Sequence, residues 1–127
     1  MRLVEQHIIK SNHKYYKELK NLCRLSKNLY NTTLYKIRQY FFENKKYLSY
    51  PLIDKKFKET KNIDYKSLPA QTAQQTMRAV DSSFRSFFKL LNMKKNGSYN
   101  RNINIPHYLK KDRKIINLLH PCLILNL

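Results

Sequence analysis

Apolar residues fall into distinct patterns along the chain, and each predicts an element. Residues 2–10, RLVEQHIIK, alternate and carry β-branched positions, which predicts a short strand. Ser11 and Asn12 then offer a helix cap. From residue 13 to about residue 47, Tyr15, Leu19, Leu22, Leu29, Leu34, Ile37 and Phe41 recur with helical periodicity, with Cys23, Leu25 and Tyr30 beside them. Neither Gly nor Pro interrupts this stretch, so the helix would be on the order of 50 Å long. Ser49 followed by Pro51 marks a second helix start, with Leu52, Ile53 and Phe57 as a short apolar face. The polar stretch KETKNIDYK separates it from Ser67, Leu68 and Pro69, which announce another long helix. There Ala73, Met77, Val80, Phe84, Phe87, Phe88 and Leu91 follow steps that keep them on one side. After Leu91 a polar linker, NMKKNGSYNRN, holds Gly97. INIPHYL (103–109) reads as extended, because Pro106 disfavours helix at Ile105 and has no N–H to donate. The basic run KKDRK and an apolar tail over residues 115–127 close the sequence.

The pattern predicts a mainly α chain: two long helices packed antiparallel on their apolar stripes, a short helix, and flanking strands. The strand at residues 2–10, the helices up to Leu91 and the linker and apolar tail beyond it divide the chain into three segments. At 127 residues there is room for one modest core. A hydrophobic fraction of 42% excludes a basic disordered tail.

Charge changes the picture most. Lys and Arg number 26 against 8 Asp and Glu, a formal net charge of +18. Such an excess attracts polyanions, which makes nucleic acid the leading partner and an anionic membrane surface the second. A single glycine excludes a phosphate-binding P-loop and a dinucleotide fingerprint. Cys23 and Cys122 make neither a disulfide framework nor a four-ligand zinc site, which suits a reducing cytoplasm. Glu5, Gln6 and His7 interrupt any signal-peptide run, and the tail falls short of the about 20 apolar residues that span a bilayer. A membrane-surface role would require the apolar stripes to stay exposed, whereas packing them on each other leaves only polar faces outside.

Catalysis finds no inventory. The eight acids are scattered singly, whereas metal-dependent phosphoryl transfer needs two or three converging carboxylates and sugar hydrolysis needs a set pair. His7, His13, His107 and His120 are equally dispersed, with no HExxH and no nucleophile elbow. No metal site, cofactor or small-molecule substrate is expected.

The cations are placed more tellingly. On the first long helix Lys17, Lys20, Arg24, Lys27 and Arg38 fall away from the apolar stripe, with Asn21, Asn28 and Asn31 among them. Point charges beside amides suit phosphates and base edges. On the second, Gln71, Gln74, Gln75, Arg78 and Arg85 form a polar face of longer reach, where arginine pairs bidentately with phosphate. Tyr108, Lys110 and Lys111, with Arg113 and Lys114, put an aromatic beside cations, as stacking on single strands or RNA requires.

HIIKSNHKYYKELKNLCRLSKNLYNTTLYKIRQYFF, LSY, LPAQTAQQTMRAVDSSFRSFFKLL, GSY and IPHYLKKD together resemble the N-terminal part of the OrfB (TnpB) proteins of insertion sequences, over about residues 3–112. SKNLYN (26–31), LPAQTAQQ (68–75), FRSFFK (84–89) and PHYLKKD (106–112) carry the resemblance jointly. It implies a relative of transposon-encoded, RNA-guided DNA endonucleases, kin to type V CRISPR effectors and also described as transposases. Their N-terminal part is a β-barrel wedge domain, interrupted by a helical recognition domain, that grips guide RNA and target duplex. On that pattern residues 1–11 are a wedge-type strand, 12–94 the recognition helices and 95 onward the return to the barrel.

Departures from the family qualify this. RNIN (101–104) stands where the family usually carries another Gly, Lys or Pro, and no family-like CxxC pairs or nuclease acids follow PHYLKKD. The expectation is therefore a truncated OrfB-type protein that binds RNA or DNA, has an incomplete barrel and lacks its own nuclease centre. The alternative is a pseudogene product, or the front half of a split nuclease whose second fragment supplies catalysis. A cut barrel would leave an unpaired edge, with residues 115–127 prone to aggregate there.

Overall fold

A computed structural model of the chain describes residue 3 and residues 8–110. Four helices follow in order: α1 (Tyr16–Asn44), α2 (Tyr50–Glu59), α3 (Ile63–Lys66) and α4 (Ala70–Lys95). The protein is mainly helical, as the periodicity predicts.

α1 begins later than the Ser11–Asn12 signal. Residues 11–15 form turns, and the N-cap is Tyr15, whose own N–H donates to His13 Nδ1 at 3.2 Å. α1 ends where Lys45 turns left-handed, φ 54°, and its N–H bonds to the Phe41 carbonyl. Ser49 in extended conformation and Pro51 in the first turn start α2 as the sequence indicates. α2 stops without glycine. Lys61 takes φ 52°, its N–H reaches the Lys58 carbonyl and the Asn62 N–H reaches the Phe57 carbonyl, closing a Schellman motif. Asn62 then caps α3, its Oδ1 accepting from the Tyr65 N–H at 3.2 Å.

α4 runs four residues past Leu91, because polarity alone does not end a helix. Gly97 does: at φ 80° it lets its own N–H reach the Lys94 carbonyl and the Ser98 N–H reach Met93.

The two long stripes supply the core. Leu29, Leu34 and Ile37 of α1 meet Ala73, Met77, Val80 and Phe84 of α4, all fully buried, while Ile53, Phe57, Tyr65 and Leu68 close the side. Phe41 packs edge-on against Phe87 and Phe88, with ring centroids 6.1 and 5.3 Å apart, and Tyr47 packs on Phe88. One buried polar contact crosses between the helices, Ser26 Oγ to Thr76 Oγ1 at 2.9 Å.

These contacts correct the expected antiparallel packing. Ser26 meets Thr76 and Phe41 meets Phe87, so α1 and α4 advance in the same direction. The cause is the connection. α2 and α3 carry the chain back, since Tyr50 lies beside Arg78 while Tyr65 lies beside Gln74, nearer the start of α4. The single short helix of the sequence reading is thus two, α2 and α3.

The flanking strands are corrected as well, because no strand occurs among the described residues. Ile8–Lys10 are irregular, and most of the expected first strand, residues 4–7, lies outside the described residues. Residues 103–110, expected to be extended, form no strand, and Leu109 bonds to the Asn31 side chain of α1. A strand requires a neighbouring backbone to bond to. Here Ile103 and Ile105 pack on the helical core instead. The tail from residue 111 onward lies outside the described residues.

Candidate nucleic-acid interface

Helical periodicity puts Lys17, Lys20, Arg24, Asn28 and Asn31 on one side of α1, away from Leu22, Leu29 and Ile37. Lys17, Lys20 and Arg24 are exposed. Arg24 Nη2 donates to Asn21 Oδ1 at 2.9 Å, which fixes the guanidinium on the surface, and Lys20 Nζ lies 5.8 Å from the Tyr16 ring. Lys27 differs from the cations around it: it is buried, at 9% exposure, so it belongs to the packed part of α1 and not to a free cationic face. Asn28 is half-buried.

Asn31 has a partner within the chain. Its Nδ2 donates to the Leu109 carbonyl at 3.1 Å and its Oδ1 accepts from the Leu109 N–H at 2.9 Å. Seven residues along α1, Arg38 stacks on Tyr108 at 4.8 Å and makes a long bond, 3.5 Å, to the Pro106 carbonyl. The extended segment therefore runs back along α1, bringing Tyr108 and exposed Lys110 to the same face as the α1 cations. Lys111, with Arg113 and Lys114, lies outside the described residues.

The α4 residues turn elsewhere. Gln74 lies beside the Tyr65 hydroxyl, Arg78 stacks on Tyr50 at 5.4 Å, and Arg85 Nε bonds Asp81 Oδ2 at 3.0 Å. Arg78 and Arg85 remain exposed at the surface. Their partners come from α2, α3 and α4, so among the described residues these cations lie on a second surface, apart from the outer face of α1.

The acids have local partners too. Asp54 accepts from the Tyr65 hydroxyl at 2.9 Å and from Lys58 Nζ at 2.7 Å, and Asp64 accepts from Thr32 Oγ1 at 2.7 Å. Burial, followed by the bond to Asp54, pushes the Tyr65 phenol above its ordinary value, and the same carboxylate raises Lys58. Burial likewise pushes the half-buried Cys23 thiol up, away from the thiolate that a nucleophile or metal ligand requires. Among the described residues no cluster of three or more His, Cys, Asp or Glu is placed to hold a metal, and no helix is long and apolar enough to cross a membrane. Chemically, these surfaces can hold anions by charge and amide hydrogen bonds.

Sequence reasoning undervalued Arg38 and missed Tyr35 and Phe42, which continue the outer face of α1 at i, i+3 and i+7. The signal was available in that spacing. Comparison with protein-family models, with curated proteins and with solved structures gave no match.

Proposed function

We propose that this chain is the nucleic-acid-binding helical module of an OrfB-type transposon protein, gripping RNA or DNA by its phosphates through the outer face of α1. The observation that carries the reading is that face: exposed Lys17, Lys20 and Arg24, with amides beside them and no carboxylate in the row, on a chain of net charge +18. Exposed cations in a row neutralise successive phosphates, and the amides add oriented donors. The resemblance supports the same use of the chain. SKNLYN lies on α1, LPAQTAQQ opens α4, and PHYLKKD contains the segment that returns to α1. On this reading the segment 103–110 is a strap laid along α1, and bond cleavage is not assigned to this chain.

The test replaces Lys17, Lys20 and Arg24 together by Gln and measures binding to structured RNA and to duplex DNA by fluorescence anisotropy. Affinity falls for all sequences alike, and the log–log salt slope becomes shallower by about 2 to 3 units. An unchanged affinity and slope would move the site off α1.

A further inference from the structure

The outer stripe of α1 does not end with its cations. It reads Lys17, Lys20, Arg24, Asn28, Asn31, Tyr35, Arg38 and Phe42, in steps of three and four throughout. The first half is cationic and the second half is aromatic. Tyr35 is 51% exposed and Phe42 47%, so both rings present surface to solvent on one side of the helix. Between them Arg38 is held by three contacts: the Phe42 ring at 5.8 Å, the Tyr108 ring at 4.8 Å and the Pro106 carbonyl. Tyr108 itself remains 40% exposed. Two rings fixed on a guanidinium, with a third ring one helical turn away, form a preorganised platform that loses little freedom when a flat ligand lands on it.

We infer that Tyr35, Phe42 and Tyr108, with Arg38 between them, form a stacking site for unpaired bases of a nucleic-acid strand whose phosphates run along Lys17, Lys20 and Arg24. This rests on the nucleic-acid reading above and adds to it the chemical class of ligand. Charge decides for this occupant. A protein partner burying the same rings would also bury Arg38 and approach a row of cations that carries no acid, whereas a single strand supplies bases to the rings and phosphates to the cations in one chain. A duplex, with its bases already stacked internally, supplies only the phosphates.

The test uses the full chain and an oligodeoxyadenylate of about 12 nucleotides, within the usual range of single-strand site sizes, free or paired in a blunt duplex. Because the chain has no tryptophan, Tyr35→Trp places a unique reporter on the platform. Its emission is quenched by the free strand and unchanged by the duplex or by inorganic polyphosphate. The double substitution Tyr35→Ala with Phe42→Ala weakens binding of the free strand about tenfold or more, leaving duplex affinity and salt slope unchanged. Equal losses on strand and duplex, or a reporter silent while the strand binds, would overturn the platform and leave the phosphate face standing. Self-association of the wild type that disappears in the double variant, with strand affinity retained, would make the patch a protein interface and overturn it as well. Failure of the wild type to bind either form would overturn both readings. The tryptophan variant retains an aromatic ring at residue 35, so it decides the matter even where the double variant folds poorly.

Discussion

Asn31 does for the extended segment what a neighbouring strand would do: it offers one donor and one acceptor to the same residue, Leu109, and so satisfies both backbone groups at once. Replacing it by Leu removes both bonds, and amide exchange at Leu109 accelerates about tenfold, the effect of losing roughly one net hydrogen bond. Exchange at the wild-type rate would show that the segment is held by Ile103 and Ile105 alone. Tyr65 carries a second residue-scale prediction. Its neutral phenol donates to Asp54, and its folded-state pKa lies above the ordinary value of about 10. The stabilisation is therefore fully present below pH 10 and is lost as pH rises through the folded-state value. Urea denaturation on the alkaline side should fall off more steeply in wild type than in Tyr65→Phe, and parallel curves would remove Asp54 from the account. Neither contact was legible in the sequence, and the reasons are physical. Asn31 and Leu109 are 78 positions apart, and a polar residue on a helix face looks the same whether water or the chain's own backbone takes its hydrogen bonds. Lys27 shows the converse, a lysine that is buried although its place beside other cations on the helix reads as exposed.

Elements were far more legible than residues. The α1 and α4 stripes and the Ser49–Pro51 start are local signals, and each appears as an element close to the expected position. α3 was hidden because four residues are too few to show a period, and only the Asn62 cap marks it. The direction of α4 relative to α1 was hidden for another reason. An apolar stripe fixes which face is buried and says nothing of which way the partner helix runs. Helix ends offer a test at this scale. Lys61 occupies the left-handed position that glycine fills after α4, and a side chain there costs about 1 kcal/mol. Lys61→Gly should raise stability by a few tenths to about 1 kcal/mol in denaturant titration, the relief being partly offset by the greater freedom of glycine in the unfolded chain. A marked loss would mean that the lysine side chain makes a contact worth more than the strain.

At the scale of the whole molecule, net charge and fold pull in opposite directions. The helical core buries apolar residues from all four helices, yet +18 on 127 residues sets like charges repelling one another. Few acids offset this. Three of the six in the described part sit in local pairs, Lys55–Glu59, Lys58–Asp54 and Arg85–Asp81, and none of these pairs takes a cation from the outer face of α1. A polyanion would relieve the repulsion and fill that face in one step, which ties the proposed binding to the charge count. The most direct measurement is the affinity of the wild-type chain for structured RNA and duplex DNA as a function of salt. About six neutralised phosphates predict a log–log slope near −5, and binding that stays flat from low to moderate salt would contradict the account.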